Sequence, residues 1–240
     1  MNGLVTSIAE ARALAARVVG QPPSTRIAIC PPATLIEAMG RALAGTRVEV
    51  GGQDCHCEPS GAFTGDISAP MLVDAGARMV ILGHSERREQ HGESNDIVAR
   101  KARAAVYAGL EPIVCVGETT EARREGRAAA VVTSQVLGSL PHSLAEAPFA
   151  VAYEPIWAIG SGLTPTLDEI EAVHGAIRRL LVERFGPVGA LRPILYGGSV
   201  KPDNAAQVMA VDNVDGALVG GASLRAEPFA QIISAVPAEA

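Results

Sequence analysis

The chain lacks an excess of positive charge, and this absence excludes whole classes of function. Its 20 Lys and Arg residues stand against 26 Asp and Glu residues, which gives a formal net charge of −6. Proteins that bind nucleic acids or membrane surfaces favour basic patches, so the charge balance argues against both kinds of partner. A small anionic substrate stays possible, because local basic or amide groups can bind it.

Long apolar runs are missing as well. The longest one near the start, Ile8 to Val19, is interrupted by Glu10, Arg12 and Arg17. A membrane-spanning helix needs about 20 mostly apolar residues, and a secretory signal needs an uncharged apolar core. We therefore expect neither, and we place the protein in the cytoplasm.

Cysteine is scarce, with four residues in the chain. Cys30 and Cys115 lie in strand-like runs and are interpreted as small core residues. The segment Cys55-His56-Cys57 has neither the usual spacing nor the second ligand pair of a zinc site. We expect no metal, and no disulfide in a reducing cytoplasm.

What the chain does contain is a regular alternation of strand and helix patterns. Amphipathic helical stretches include Glu118 to Leu140 and Leu167 to Phe185. Such alternation predicts right-handed βαβ units and a parallel sheet. With 48% hydrophobic residues and no linker, residues 1–240 suit one α/β domain. Seven short apolar runs are predicted strands: Arg26–Cys30, Arg47–Gly51, Met79–Leu82, Pro112–Val116, Phe149–Tyr153, Pro193–Tyr196 and Gly216–Val219.

Two architectures fit this pattern, the closed eight-stranded α/β barrel and the open doubly wound sheet. A doubly wound nucleotide binder concentrates its glycines after the first strand. Here the residues suited to chemistry follow at least four different strands, which favours the barrel.

One such residue is Glu154, which ends the apolar run Phe149–Tyr153 and precedes a glycine-punctuated loop. An isolated glutamate there would be read as a solvated loop residue. With a loop able to close over it, the carboxylate is a candidate catalytic base.

His84 follows the run Met79–Leu82 and is a second candidate. If it lies at a helix N-terminus, amide dipoles disfavour its cationic form, and a neutral ring can donate a hydrogen bond to a carbonyl. The alternative is a surface or capping histidine. No chemistry is assigned to the other histidines, His56, His91, His142 and His174.

Two glycine-rich turns follow the last two predicted strands. They hold Gly197, Gly198 and Ser199 in one turn and Gly220 and Gly221 in the other. Exposed backbone amides in such turns can cradle a phosphate, although paired glycines alone also suit an ordinary tight turn. Their position matches the phosphate site common in barrels.

Four segments together resemble the diagnostic stretches of triosephosphate isomerases, in the same order and with similar spacing. They are Ile81–Arg88, Ala152–Gly162, Tyr196–Val200 and Leu218–Ala222. The resemblance runs from about Met1 to the last helix. It implies a TIM (β/α)8-type barrel that interconverts dihydroxyacetone phosphate and D-glyceraldehyde 3-phosphate through an enediolate, without metal or organic cofactor.

The resemblance also implies roles for individual residues. Glu154 is the base and His84 polarises the carbonyl, while Glu86 orients neighbouring groups or serves only as an ion-pair partner. Backbone amides of Gly160, Ser199, Gly220 and Gly221 hold the phosphate. A mobile lid comprises Pro155, Ile156, Trp157, Ala158, Ile159, Gly160, Ser161, Gly162, Leu163, Thr164, Pro165 and Thr166.

A long loop from Gly51 to Asp66 resembles the loop through which this family forms dimers. Thr64 stands at the position of the tip, and burial in a partner explains an exposed Phe63. We expect a homodimer.

One departure from the family pattern stands at the start. In the family a first strand ends in Asn-x-Lys directly before Met-Asn-Gly-Leu, whereas this chain begins there, at Met1. We therefore expect seven strands, an N-terminally truncated barrel and very low activity. The two lysines, Lys101 and Lys201, do not stand at the family position. A start set at an internal methionine is preferred over a true seven-stranded relative.

Two other functions stay open. A catalytically inert phosphate-binding or interaction barrel would explain the missing lysine, but the presence of both Glu154 and His84 speaks against it. Another phosphosugar isomerase would leave the Tyr153–Gly162 segment as coincidence.

Overall fold

The computed structural model describes residues 1–22, 24–159 and 163–237. Within these ranges, seven parallel strands lie side by side in chain order and form one curled sheet. All seven predicted strands are confirmed, with shifts at their ends. They are β1 (Ile27–Ile29), β2 (Val48–Gly52), β3 (Met79–Leu82), β4 (Glu111–Val116), β5 (Ala150–Tyr153), β6 (Ile194–Tyr196) and β7 (Gly216–Ala217).

Helices connect the strands and cover the outer face of the sheet. They are α1 (Ser7–Arg17), α2 (Ile36–Ala42), α3 (Ala69–Asp74), α4 (Ser85–Gln90), α5 (Asn95–Tyr107), α6 (Thr120–Arg124), α7 (Ala128–Ser139), α8 (Leu167–Phe185), α9 (Pro187–Ala190), α10 (Pro202–Met209) and α11 (Ala226–Ser234). No helix within the described ranges is long and apolar enough to cross a membrane.

The sheet is buried on both faces. Val114 and Val151 belong to the larger apolar cluster, which includes helix residues such as Leu14 and Ile177. A second, smaller cluster is formed mainly by strand residues and consists of Met79, Ile113, Cys115, Ala150 and Ala152. Burial on both faces explains why these strands read as continuous apolar runs rather than alternating ones.

The curled sheet has two outer strands, β1 and β7, and no ladder joins them in the part of the chain that is described. The helices outside them are nevertheless in contact. Glu10 on α1 accepts hydrogen bonds from Arg225 Nη1 at 3.0 Å and from the backbone of Ala226 at 2.8 Å. The helical layer therefore closes where the sheet stays open, and we call the interval between β1 and β7 the seam.

The helical stretch predicted from Glu118 to Leu140 is interrupted. The segment forms α6 and α7, which are separated at Gly126, where φ is 70°. This left-handed conformation ends a helix and suits glycine, although the apolar periodicity continues through it. The predicted helix Leu167–Phe185 is confirmed as α8, and Thr166 with Glu169 forms its capping box.

Because a side chain at position 126 would meet nothing within 4 Å, replacing Gly126 tests the backbone conformation alone. We expect Gly126→Ala to lower the free energy of unfolding by about 1 kcal/mol, measured by urea denaturation. Gly20→Ala is the matched control, since Gly20 has equal space and no positive φ. Equal effects of the two substitutions would contradict this explanation.

Candidate active site

The two residues predicted to carry chemistry lie together at the carboxyl ends of the strands. Glu154 directly follows β5, and His84 follows β3 two residues after its end. His84 Nε2 lies 3.0 Å from Glu154 Oε1. Both residues line a cavity of about 1280 Å³ that also reaches the seam. A three-carbon molecule in this cavity can contact both groups at once.

Hydrogen bonds from one short helix hold the carboxylate of Glu154. The backbone N–H of Ser85 donates to Oε2 at 2.9 Å, and the Ser85 hydroxyl donates to Oε1 at 2.9 Å. Glu154 is only 2% exposed, so these donors replace the water that the carboxylate has lost. The carboxylate thus has a defined resting position beside His84.

The hydrogen bonds of His84 assign its tautomer. His84 is the N-cap residue of α4, and its Nδ1 accepts the backbone N–H of Glu86 at 3.3 Å. Since Nδ1 accepts, the proton of the neutral ring lies on Nε2, the atom nearest to Glu154. The side chain of Glu86 is exposed and lines the same cavity.

Two glycines let the neighbouring loops approach the backbone of Glu154. A Cβ at Gly117 would lie 1.9 Å from the carbonyl oxygen of Glu154, and one at Gly197 would lie 3.0 Å from its Cγ. Glu154 N donates to Val116 O at 2.8 Å, and Gly197 N donates to Tyr153 O at 2.7 Å. The loops after β4, β5 and β6 therefore meet around the carboxylate.

The burial of this region and the charge of Glu154 both act on the pKa of the Cys115 thiol. Burial raises the pKa of Cys115 well above its ordinary value, and the nearby charge of Glu154 raises it further. Cys115 is thus a protonated residue of the smaller core, as its strand-like run predicts.

The predicted phosphate-binding residues border the same cavity. Ser199 is half-buried, while Gly220 and Gly221 are exposed, and all three contribute to the lining. Gly221 begins a short 3-10 turn that ends at Leu224. Gly160, the fourth predicted residue, lies outside the described residues.

The first part of the predicted lid is anchored to α6 and to Glu118 in the loop between β4 and α6. Trp157 Nε1 donates to Glu118 Oε1 at 2.8 Å, and the Tyr153 hydroxyl donates to the same oxygen at 3.1 Å. The guanidinium of Arg123 lies 4.0 Å over the Trp157 ring and also pairs with Glu169.

The rest of the predicted lid is only partly described. Leu163 and Thr164 are exposed, and Pro165 is buried just before the N-cap of α8. Gly160, Ser161 and Gly162 lie outside the described ranges.

The predicted dimer loop borders the cavity at Gln53, while Phe63 and Thr64 do not line it. Phe63 is 41% exposed, and its ring contacts that of His56 with centroids 4.1 Å apart. Thr64 is exposed as well. In the described ranges, no group of three His, Cys, Asp or Glu side chains could hold a metal ion.

Sequence reasoning missed three residues that build the site: Ser85, Gly117 and Glu118. Ser85 stands next to His84 in a motif already singled out, so its position offered a signal. Gly117 and Glu118 directly follow β4, as Glu154 directly follows β5. An acidic residue at the end of an apolar strand is the same signal in both places.

Comparisons of the sequence and of the structure with known proteins all identify the same family. The family model for triosephosphate isomerase matches residues 1–236. The triosephosphate isomerase of Caulobacter vibrioides is 56% identical over 98% of this chain and 93% of its own length, and that of Xanthobacter flavus is 58% identical over 98% and 94%. The crystal structure of triosephosphate isomerase from Bartonella henselae superposes with a TM-score of 0.90 at 44% identity, covering 98% of this chain and 94% of that one.

We expect Gly117→Ala to displace Glu154, because the new methyl group would overlap its carbonyl oxygen. The free energy of unfolding should fall by about 2 kcal/mol or more, as measured by urea denaturation. The control is Gly175→Ala in α8, where a Cβ meets only Arg179 at 3.6 Å and helix propensity favours alanine. A Gly117→Ala protein as stable as the control would refute the close approach of these loops.

Proposed function

This chain belongs to the triosephosphate isomerase family, and we propose that its own Glu154 and His84 interconvert dihydroxyacetone phosphate and D-glyceraldehyde 3-phosphate. The observation that carries the proposal is the distance of 3.0 Å between His84 Nε2 and Glu154 Oε1. Both groups share one cavity with Ser199 and the Gly220-Gly221 turn.

The reaction moves one proton between two carbons. The Glu154 carboxylate removes a proton from C1 of dihydroxyacetone phosphate, and the electrons of that bond move onto the carbonyl oxygen as the enediolate forms. His84 donates a hydrogen bond from Nε2 to this oxygen and transfers protons between the two oxygens. Glu154 then returns its proton to C2, which gives the aldehyde.

The phosphate group is held by backbone amides rather than by a formal positive charge. Ser199, Gly220 and Gly221 supply these amides, together with Gly160 of the lid. The lid residues Pro155 to Thr166 close over the bound substrate. Closure excludes water, which strengthens the electrostatic interactions in the site and protects the enediolate.

We further propose that residues 1–240 by themselves have very low activity. Lys101 forms ion pairs with Asp54 and Glu93, and its Nζ lies 2.8 and 2.6 Å from their carboxylate oxygens. Lys201 is exposed at the rim of the same cavity, after the turn that holds Ser199, and does not stand at the family position. Neither lysine takes the place of the electrophile in the family's Asn-x-Lys, and the seam leaves two strand edges unpaired beside the site.

The remaining properties of the proposal concern assembly and location. We propose a single domain over residues 1–240 that forms homodimers through the loop with Phe63 and Thr64 at its tip. The exposed ring of Phe63 supports this role, because large apolar side chains at loop tips commonly contact partners. We place the protein in the cytoplasm.

A catalytically inert phosphate-binding barrel is the second candidate, and the open seam favours it. Titration with 2-phosphoglycolate, which mimics the enediolate, separates the two functions when turnover is measured in parallel. Tight binding without turnover in the 240-residue chain, and in the extended chain described below, would support the inert barrel.

We expect His84→Gln to lower turnover about 10²–10³-fold, because a preorganised hydrogen-bond donor to the developing charge is lost. Glu154→Gln removes the base and should abolish turnover. Deuterium incorporation from D₂O into the triose phosphates, followed by NMR, detects slow exchange in these variants. His142→Gln is the control, since His142 is exposed and lies outside the cavity. Unchanged exchange in His84→Gln would refute the assigned role.

The proposal of low activity is tested by adding a strand. A variant extended before Met1 by an apolar strand-forming segment ending in Asn-x-Lys should pair with β1 and β7 and supply the electrophile. We expect its turnover to exceed that of residues 1–240 by about 10²-fold or more. If residues 1–240 already turn over as fast as the relative from Caulobacter vibrioides, the role of the seam is refuted.

A further inference from the structure

A cluster of four charged side chains lies beside α4, the helix that begins after His84. It consists of Asp54, Arg87, Glu93 and Lys101, and we call it the charge cluster. Lys101 Nζ lies 2.8 Å from both carboxylate oxygens of Asp54 and 2.6 Å from Glu93 Oε1. Arg87 Nε lies 2.6 Å from the same Glu93 oxygen and 3.0 Å from Asp54 Oδ2.

The charge cluster is shielded from water and balanced in charge. The side chains of Glu93 and Lys101 are 4% and 6% exposed, and those of Asp54 and Arg87 are 20% and 30% exposed. Two carboxylates face two cations. Since an unpaired charge is costly in the protein interior, removal of one member forces the others to move or to admit water.

The cluster joins three parts of the chain that surround the site. Asp54 lies two residues after β2, Arg87 is on α4 and Lys101 is on α5. With only six residues, α4 is too short to be stable alone, so contacts with its neighbours decide where it lies. Arg88, the next residue, donates to Gly83 O at 2.8 Å and to Cys115 O at 3.1 Å.

The position of Arg87 is transmitted to His84 within one helical turn. The backbone N–H of Arg87 donates to His84 O at 2.8 Å. Arg88 holds the side of α4 that faces β4, whereas Arg87 ties the helix to the loop after β2. A shift of Arg87 would therefore turn α4 about the Arg88 contacts and would move the ring of His84.

We propose that Asp54 is a positioning residue for the reaction. By completing the charge cluster, it fixes Arg87 and α4 so that His84 Nε2 stays within hydrogen-bond distance of Glu154. Asp54 also lies in the loop that carries Phe63 and Thr64, so the charge cluster links this loop to His84. The inference rests on the proposed function and adds to it the residue that sets the position of His84.

The test removes one charge at a time with little change in the size of the side chain. Asp54→Asn leaves the cluster with an excess positive charge, and Lys101→Met leaves it with an excess negative charge. The readout is the ¹⁵N NMR signal of the His84 imidazole in histidine-labelled protein, assigned by its loss in His84→Gln. We expect both substitutions to shift this signal and to lower kcat about tenfold, with KM changed less than twofold.

A matched control and a rescue separate positioning from plain stability. Asp96→Asn breaks an exposed pair with Arg100 and should change neither the His84 signal nor kcat. The double variant Asp54→Asn with Lys101→Met restores the charge balance and should return both readouts toward the unmodified protein. If Asp54→Asn does not fold, Lys101→Met and the double variant provide the same comparison.

Three outcomes would contradict either the proposal or the function on which it rests. Single variants that melt earlier but keep the His84 signal and kcat would overturn the proposal and leave the cluster a purely structural feature. Shifted signals that the double variant does not restore would overturn the role of charge balance. A shifted His84 signal in a chain whose His84→Gln variant exchanges protons normally would instead refute the proposed function and leave the positioning role intact.

Discussion

The arrangement of the site depends on one buried carboxylate, that of Glu154. Glu154 is 2% exposed, and an ionised carboxyl group loses several kcal/mol of hydration there unless hydrogen bonds replace the water. Ser85 supplies two of these bonds, and His84 lies next to the same oxygen. Because both belong to one short segment after β3, the base cannot be placed correctly unless α4 is.

The strands supply the frame for this arrangement, and within the described residues no ladder joins β1 to β7 at the seam. Arg26, which directly precedes β1, forms ion pairs with Glu49 on β2 at 3.1 Å and with Glu111, the first residue of β4, at 2.8 Å. Its side chain is 54% exposed, so these pairs stabilise the curvature only modestly. The curl is maintained mainly by apolar packing on both faces, with the contact of α1 and α11 outside the seam.

Much of this could be predicted from the sequence because parallel strands covered on both faces leave a strong local signal. The seven apolar runs and the acidic residue at the end of β5 are features of consecutive residues. The break at Gly126 was missed because a left-handed φ leaves no trace in the apolar periodicity. Gly117 and the charge cluster depend on distant partners, since a glycine or a lysine does not show in the sequence what it will contact.

In the proposed reaction, the hydrogen bonds of Glu154 in this structure would link lid closure to proton transfer. The bonds from Ser85 to Glu154 would have to be exchanged for contacts with the substrate before a proton can be removed. Hydrogen bonds to a carboxylate have similar strength before and after such an exchange, so the exchange itself costs little when water is excluded. In the proposed reaction, binding of the phosphate to the glycine turns would supply the free energy for closing the lid. The hydrogen bond from Trp157 to Glu118 stabilises the position that the first part of the proposed lid takes in this structure.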